Sequence, residues 1–306
     1  MIKVVFLGTP DFSVKPLEEI YQNSSVEIVG VVCNKDKPVG RKRIITAPPV
    51  KQRAIELGLL VFQYDKIRIE GVEDLKRLKP DLMVTCAFGQ ILSQEILDIA
   101  PLGVINVHAS LLPKYRGASP IQACLLNGDK KTGVTIMKTD IGIDTGDIIH
   151  QEIIDVEDDD DAGSLFEKLS VVGAKAVNIA INKIIDKTAE YKKQGNDFSV
   201  TKMVRKEDAL IDFHKPAIKV INQIRAYSPY PTAYTMLNGE PFKIFKAKFC
   251  SDFGKAGTII CNDKKLVIAC AENSIELLTV QKFGGKIMSI NDFLRGNSIA
   301  IGTELK

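Results

Sequence analysis

Residues 3–33 read KVVFLGTPDFSVKPLEEIYQNSSVEIVGVVC, and this stretch decides the fold. The apolar run Val4-Val5-Phe6-Leu7 has no polar alternation, so a strand over 3–8 is buried on both faces, as in a parallel sheet. Gly8-Thr9-Pro10-Asp11 ends it. A helix is predicted over 13–21 with Ser13 at its N-cap, and a second apolar strand over 26–33. A strand–helix–strand unit of this kind is the repeating element of a doubly wound α/β sheet.

The pattern continues downstream. Residues 49–57 have helical character and 59–62 form a short strand. A helix is predicted over 72–78, a buried strand over 81–87, a short helix over 94–97 and a strand over 103–107. Strands at 132–138 and 147–156 are placed at the sheet edge. Residues 162–185 are apolar every third or fourth position and read as one amphipathic helix closing a domain over 1–189. The acidic run at 158–161 precedes that helix and suits the positive end of its dipole. A polar stretch carrying Lys192, Lys193, Lys202, Arg205 and Lys206 reads as a basic linker over 190–206. The remainder, 207–306, holds a helix near 216–226 and strands at 233–237, 241–249, 257–261, 265–269 and 275–280. A last helix over 290–294 starts at Ser289. Short strands at this spacing suggest a small antiparallel barrel. The expected fold class is α/β, a doubly wound mostly parallel sheet with a smaller C-terminal OB-like β-barrel domain.

The 306 residues are 45% hydrophobic and 26% charged, which excludes a disordered chain. No apolar stretch approaches the about 20 residues of a membrane span, and the first apolar run is too short for a signal peptide. A cytoplasmic protein without a membrane partner is expected, with monomer as the default state. Cys33, Cys86, Cys124, Cys250, Cys261 and Cys270 contain no C-x-x-C pair and read as free thiols, with no metal site. Residues 1–189 carry 23 basic and 26 acidic side chains, and residues 190–306 carry 18 and 12, a net −3 and +6. The basic later part would suit a polyanion, although an excess of this size also serves solubility alone. The first turn lacks G-x-G-x-x-G, and neither a P-loop nor a G-x-S-x-G elbow occurs.

Chemistry concentrates at Asn106-Val107-His108, at the C-terminal end of a predicted strand, the edge where open parallel sheets bind ligands. Strand alternation puts Asn106 and His108 on one face. An amide donor can stabilise an oxyanion, and an imidazole can move a proton from an attacking amine to a leaving nitrogen. Gly142-Ile143-Asp144-Thr145-Gly146-Asp147 makes a tight turn whose Asp144 could orient His108. A turn-capping Asn106, a satisfied core His108 and a loop-shaping Asp144 fit the same pattern.

Asn106-x-His108, then Ser110-Leu111-Leu112-Pro113-Lys114-Tyr115-Arg116-Gly117, then Asp144-Thr145-Gly146-Asp147 resemble the signature of enzymes that transfer formyl groups from 10-formyltetrahydrofolate. Gly8-Thr9-Pro10-Asp11-Phe12, Asp36-Lys37-Pro38-Val39-Gly40-Arg41, Pro120-Ile121-Gln122, Thr132-Gly133-Val134-Thr135-Ile136-Met137, Pro229-Tyr230-Pro231 and Lys286-Ile287-Met288-Ser289 resemble the methionyl-tRNA formyltransferases in particular. The resemblance covers nearly the whole chain. It implies 10-formyltetrahydrofolate as donor and the α-amino group of initiator methionyl-tRNA as acceptor. Asn106, His108 and Asp144 then take the catalytic roles. Ser110, Leu111, Leu112 and Pro113 match the folate-contacting stretch. Phe88, Gly89, Gln90 and Ile91 would form part of the pterin wall, and the loop from Asp140 to Asp144 would cover its other side. The basic loop with Lys35, Lys37, Arg41, Lys42 and Arg43 is assigned to the tRNA acceptor stem, with Arg41 entering its end. The rivals are a formyltransferase acting on an amino sugar or other small amine, a non-catalytic tRNA-binding protein, and a formylfolate hydrolase.

Overall fold

Strand β1 (Ile2–Gly8) is fully buried from Val4 to Leu7 and forms the middle of a seven-stranded sheet. The computed structural model describes residues 1–40 and 42–305, so Arg41 lies outside the described residues. After β1 come α1 (Val14–Gln22), β2 (Val26–Cys33), the short strands β3 (Lys37–Val39) and β4 (Ile44–Thr46), and α2 (Pro49–Glu56). Next follow β5 (Val61–Gln63), α3 (Ile67–Glu70), α4 (Val72–Leu78), β6 (Leu82–Cys86), α5 (Gln94–Leu97) and β7 (Val104–His108). The chain continues through β8 (Arg116–Gly117), α6 (Pro120–Asn127), β9 (Lys131–Lys138), β10 (Ile148–Asp155) and α7 (Ala162–Ile185). The sheet order is β10-β9-β7-β6-β1-β2-β5. Strands β7, β6, β1, β2 and β5 are parallel, whereas β9 runs antiparallel to β7 and β10 antiparallel to β9. The short turn between β9 and β10 allows no crossover, which forces the antiparallel pairing.

The predicted elements are found within a few residues of their expected bounds, and the differences have local causes. Ser13 stands at the head of α1, but its hydroxyl caps no helix N–H; it donates to the Cys86 carbonyl at 2.5 Å and ties the first turn to β6. The basic loop contains a hairpin, with Lys37, Pro38 and Val39 opposite Thr46, Ile45 and Ile44. Helices α3 and α6 were not foreseen. Helix α7 has its expected bounds, and the acidic run before it does more than complement the dipole. Asp161 Oδ1 accepts the Ser164 N–H at 2.9 Å, and Ser164 Oγ accepts the Asp161 N–H at 3.1 Å, a reciprocal cap.

The chain divides into two compact units. The first comprises Met1–Gly117, Lys131–Asp155 and Phe166–Val200; the second comprises Ala118–Lys130, Val156–Leu165 and Thr201–Lys306. In the first, Leu7, Val32, Leu75, Met83 and Phe88 share one core cluster. After β11 (Val200–Thr201) the second unit holds α8 (Ala217–Tyr227), β12 (Tyr234–Leu237), β13 (Glu240–Cys250), β14 (Ile259–Cys261), β15 (Leu266–Ala269), β16 (Ser274–Gln281), β17 (Met288–Ser289) and α9 (Ile290–Gly296). Its antiparallel sheet runs β12-β13-β16-β15-β14, with β17 against β16. Two register shifts between Ile244 and Ala247 bend β13, the local device that curls a sheet toward the OB-like half-barrel. Phe242 and Phe293 meet at 5.2 Å in its core. Ser289 caps α9 as expected, accepting the Asp292 N–H at 3.1 Å.

Among the described residues, no helix is long and apolar enough to cross a membrane. All six cysteines are free; Cys33, Cys86, Cys124 and Cys270 are buried.

Candidate active site

Strand β7 carries Asn106 and His108 on one face because they are two residues apart in extended backbone. Its neighbours β6 and β9 place Thr85 opposite Asn106 on one side and Thr135 opposite His108 on the other. The loop between β9 and β10 brings Asp144 to the same place. Asn106 Nδ2 donates to Asp144 Oδ1 at 3.4 Å, and His108 Nδ1 lies 3.5 Å from Asp144 Oδ2. The amide, imidazole and carboxylate expected from the sequence therefore converge at the C-terminal end of β7.

Each group is oriented from behind. The Thr85 hydroxyl donates to Asn106 Oδ1 at 2.8 Å, which leaves the NH2 of Asn106 facing Asp144. His108 Nε2 lies 2.9 Å from the Tyr115 carbonyl, and a carbonyl only accepts, so the proton sits on Nε2. Nδ1 is consequently the ring nitrogen that can gain or lose a proton. When it gains one, both ring N–H groups face acceptors. The ring is 6% exposed, so those acceptors compete with little water. Asp144 Oδ2 also accepts the Gly117 N–H at 2.8 Å.

Asp144 occupies the left-handed region, with φ 51°, a conformation an aspartate tolerates better than most residues. The turn closes because a Cβ on Gly146 would lie 1.7 Å from the Lys138 carbonyl, so only glycine fits there. Asp140 Oδ1 accepts the Gly142 N–H at 3.0 Å and the Thr145 hydroxyl at 2.7 Å, so its carboxylate is committed to shaping the loop. Ile141 and Ile143 project from that loop, 77% and 70% exposed.

The remaining candidate residues differ in what they offer. Ser110 is buried, and its hydroxyl donates to the Lys114 carbonyl at 2.7 Å. The Leu112 N–H donates to Thr135 Oγ1 at 3.0 Å, and its carbonyl accepts from Gln151 Nε2 at 3.0 Å. Leu112 packs with Met137 and Ile148, and its bond to Pro113 is cis. Leu111 and Pro113 are half-buried. This stretch is a rigid turn whose polar side chain is internally satisfied. Beyond β6, Phe88 packs in the core, whereas Gly89 and Ile91 are exposed, Ile91 by 76%. Gln90 is fully engaged: its Oε1 accepts the Ile67 N–H at 2.8 Å, and its Nε2 donates to Asn34 Oδ1 at 2.7 Å and the Tyr64 carbonyl at 3.0 Å.

On the basic hairpin, Lys37, Lys42 and Arg43 are exposed, and so are Val39, Ile44 and Ile45. Lys35 pairs with Asp65 at 2.5 Å. The hairpin's first arm is anchored through Asp36, whose carboxylate takes the Lys51 ammonium at 2.9 Å and the Gln63 amide at 2.9 Å; these bonds hold its carboxyl below the usual range. An open hollow of ≈ 550 Å³ lined by Lys76, Pro80, Asp81 and Glu95 lies before the N-terminal end of β6, at the edge opposite the trio, and takes no part in the site. Among the described residues, no group of three or more His, Cys, Asp or Glu side chains is placed to hold a metal ion.

Sequence reading missed the groups that meet the trio directly: the Thr85 hydroxyl, the Tyr115 carbonyl and the Gly117 N–H. Two of these are backbone atoms, which no residue type announces.

Two family models match the chain: formyl transferase over residues 2–181, and the formyl transferase C-terminal domain over residues 203–298. The chain is 44% identical over 307 residues to a methionyl-tRNA formyltransferase of Agathobacter rectalis, covering 99% of each. It is 41% identical over 311 residues to that of Bacillus licheniformis, covering 100% of this chain and 98% of the relative. Among solved structures it is similar to an N-formyltransferase from Helicobacter canadensis in complex with folinic acid and dTDP-3-aminofucose. That likeness has a TM-score of 0.70 at 25% identity and covers 92% of this chain and 100% of the other.

Proposed function

Because the chain belongs to the methionyl-tRNA formyltransferase family, we propose that it transfers the formyl group of 10-formyltetrahydrofolate to the α-amino group of methionine on initiator tRNA. The observation that carries this reading is the convergence of Asn106, His108 and Asp144, with the Asn106 NH2 held toward Asp144 by the Thr85 hydroxyl and the His108 Nε2 proton held by the Tyr115 carbonyl.

The donor is a substrate, and the formyl group it brings is already activated by attachment to a folate nitrogen. The neutral amine attacks the formyl carbon. A C–N bond forms to the amine, the bond to the folate nitrogen breaks, and one proton passes from the first nitrogen to the second. Asn106 Nδ2 donates to the oxygen that becomes negative, a contribution of about 10²–10³ in rate for a single donor. His108 Nδ1 takes the amine proton and returns it to the leaving nitrogen, which typically contributes about 10²–10⁴. Asp144 compensates the charge on His108 while it holds that proton. The exposed apolar side chains Ile141 and Ile143 on the loop that carries Asp144, together with Ile91 on the loop after β6, support a flat heterocycle, since such a ring is held mostly by apolar faces. The turn at 110–113 supports its position through backbone groups and apolar faces, and Asp140 supports it by shaping the covering loop.

For the tRNA, Lys37, Lys42 and Arg43 on the hairpin offer phosphate contacts, with Lys35 following once its pair with Asp65 opens. Val39, Ile44 and Ile45 between them offer an apolar face to an unstacked terminal base. Arg41, outside the described residues, keeps the role its sequence position suggests.

The test mixes the protein and formyl donor with charged initiator tRNA, with an amino-sugar nucleotide, or with no acceptor. Formylmethionyl-tRNA as the dominant product is the expected outcome. Formylated sugar or bare formate as the dominant product would replace this reading.

A further inference from the structure

The segment from Lys192 to Ser199 crosses the outside of the candidate site, and it is pinned along its length. Lys192 pairs with Ile148 through both backbone groups, at 2.8 and 2.9 Å. Ser199 accepts the Tyr115 N–H on its hydroxyl at 2.8 Å and the Arg116 N–H on its carbonyl at 2.8 Å. Between these points, Gln194 Nε2 donates to the Asp144 carbonyl at 2.9 Å and the Gly146 carbonyl at 2.8 Å. Its Oε1 accepts from Arg116 Nε at 2.9 Å, and the Arg116 guanidinium lies 4.5 Å above the Phe198 ring. The amide orientation is chemically forced: reversing it would set an oxygen against two carbonyls and an NH2 against an N–H donor.

One side chain therefore joins the two loops on which the trio depends. One loop presents the Tyr115 carbonyl that fixes the His108 tautomer, and the other presents Asp144. Gln194 grips the carbonyl of the left-handed residue Asp144 itself and that of Gly146 two residues on, holding the turn just past the position where the backbone is least favourable. The direct bond from Gly117 N–H to Asp144 Oδ2 fixes the carboxylate, but only while the Asp144 backbone stays in place.

We propose that Gln194 is a positioning residue for the formyl transfer, holding the Asp144 carboxylate against His108 and Asn106. The inference rests on the catalytic reading of that trio. Loss of the clamp lets the turn relax, and a displacement of about 1 Å in a catalytic group is enough for about a hundredfold loss in rate.

The experiment compares Gln194→Met, which keeps the length without the hydrogen bonds, with Gln194→Glu, which keeps an acceptor for Arg116 but opposes two carbonyls. Asn106→Ala serves as the reference. Single-turnover formylation, the KM for the donor, the pH profile of kcat/KM, thermal melting and the ¹⁵N signals of the His108 ring are measured on the full chain. The expected result is a ten- to hundredfold fall in kcat in both variants. It should come with an altered pH profile and a shifted His108 Nδ1 signal, while donor KM stays within about threefold and melting is nearly unchanged. A kcat within twofold of the parent overturns the proposal. So does a fall that leaves the pH profile and ring signals unmoved, or one in which kcat, KM and melting decline together. If Asn106→Ala is also near normal, the catalytic reading fails; if Asn106→Ala is inactive while both Gln194 variants are normal, only the positioning role fails.

Discussion

Replacing Asp144 by asparagine should cost more than one charge. Asp144 Oδ2 accepts the Gly117 N–H at 2.8 Å, and only the carbonyl oxygen of an asparagine can keep that bond. The new NH2 group then takes the Oδ1 position, 3.4 Å from Asn106 Nδ2, and two donors face each other. Asn106 can relieve this by turning its amide over, because the Thr85 hydroxyl at 2.8 Å accepts as readily as it donates. The turned amide aims a carbonyl oxygen at the place where negative charge develops. Losing that donor costs about 10²–10³ in rate, and losing the counter-charge for protonated His108 removes part of the about 10²–10⁴ of acid–base catalysis. A fall of about 10³–10⁴ is expected, equivalent to about 4–5 kcal/mol in the barrier. The assay is rapid-quench formylation at saturating donor, with Asn106→Ala, Asp144→Asn and the double variant forming a cycle. The double variant should lose far less than the product of the two single losses, because Asp144→Asn already disables Asn106. A folded Asp144→Asn protein within tenfold of the parent refutes the reasoning, and strict multiplicativity in the cycle refutes the amide rotation.

Gly146→Ala should reduce formylation by about a hundredfold or more, since a Cβ placed 1.7 Å from the Lys138 carbonyl must open the turn that carries Asp144; an active variant measured in the same assay would show that the turn tolerates it. Burial pushes the Cys33 thiol up to about 11 and the Cys86 thiol up to about 12, so neither should react with a thiol reagent at pH 8 until the protein unfolds. Cys250 and Cys261 are partly exposed and should label first, which mass spectrometry of the native protein would read directly. The Tyr64 hydroxyl donates to Asp74 at 2.8 Å and, with Arg77, holds that carboxyl below its usual range. Stability from this group is present above the ordinary carboxyl pKa of about 4 and lost as the pH falls through the lower folded value. Tyr64→Phe should therefore flatten the acid limb of urea-unfolding curves below about pH 4, and an unchanged limb would contradict the linkage. Removing Lys42 and Arg43 together should lower the slope of log binding constant against log salt for tRNA by about 1–2, whereas an unaltered slope would place the phosphate contacts elsewhere.

The parallel core was legible because strands buried on both faces must be apolar throughout, and Val4–Leu7 and Val31–Cys33 carry that signature directly. The shared face of Asn106 and His108 was legible for an equally local reason, the two-residue period of a strand. The helix at Ala162–Ile185 declared itself by sheer length. Other features depend on what the chain meets after it has folded. Strand β9 reads the same in either direction, and only its pairing shows that it runs antiparallel to both β7 and β10. Ser13 looks like a helix cap from its neighbours, yet the Cys86 carbonyl lies closer to its hydroxyl than any helix N–H it could serve. The tautomer of His108, the orientation of Asn106 and the grip of Gln194 come from backbone carbonyls and one threonine hydroxyl supplied by segments 7 to 50 residues away. Composition and period determine which residues are buried and which face of a strand they share. Only the tertiary structure decides which backbone atom each polar side chain meets, because every residue type carries the same carbonyl and, proline apart, the same N–H.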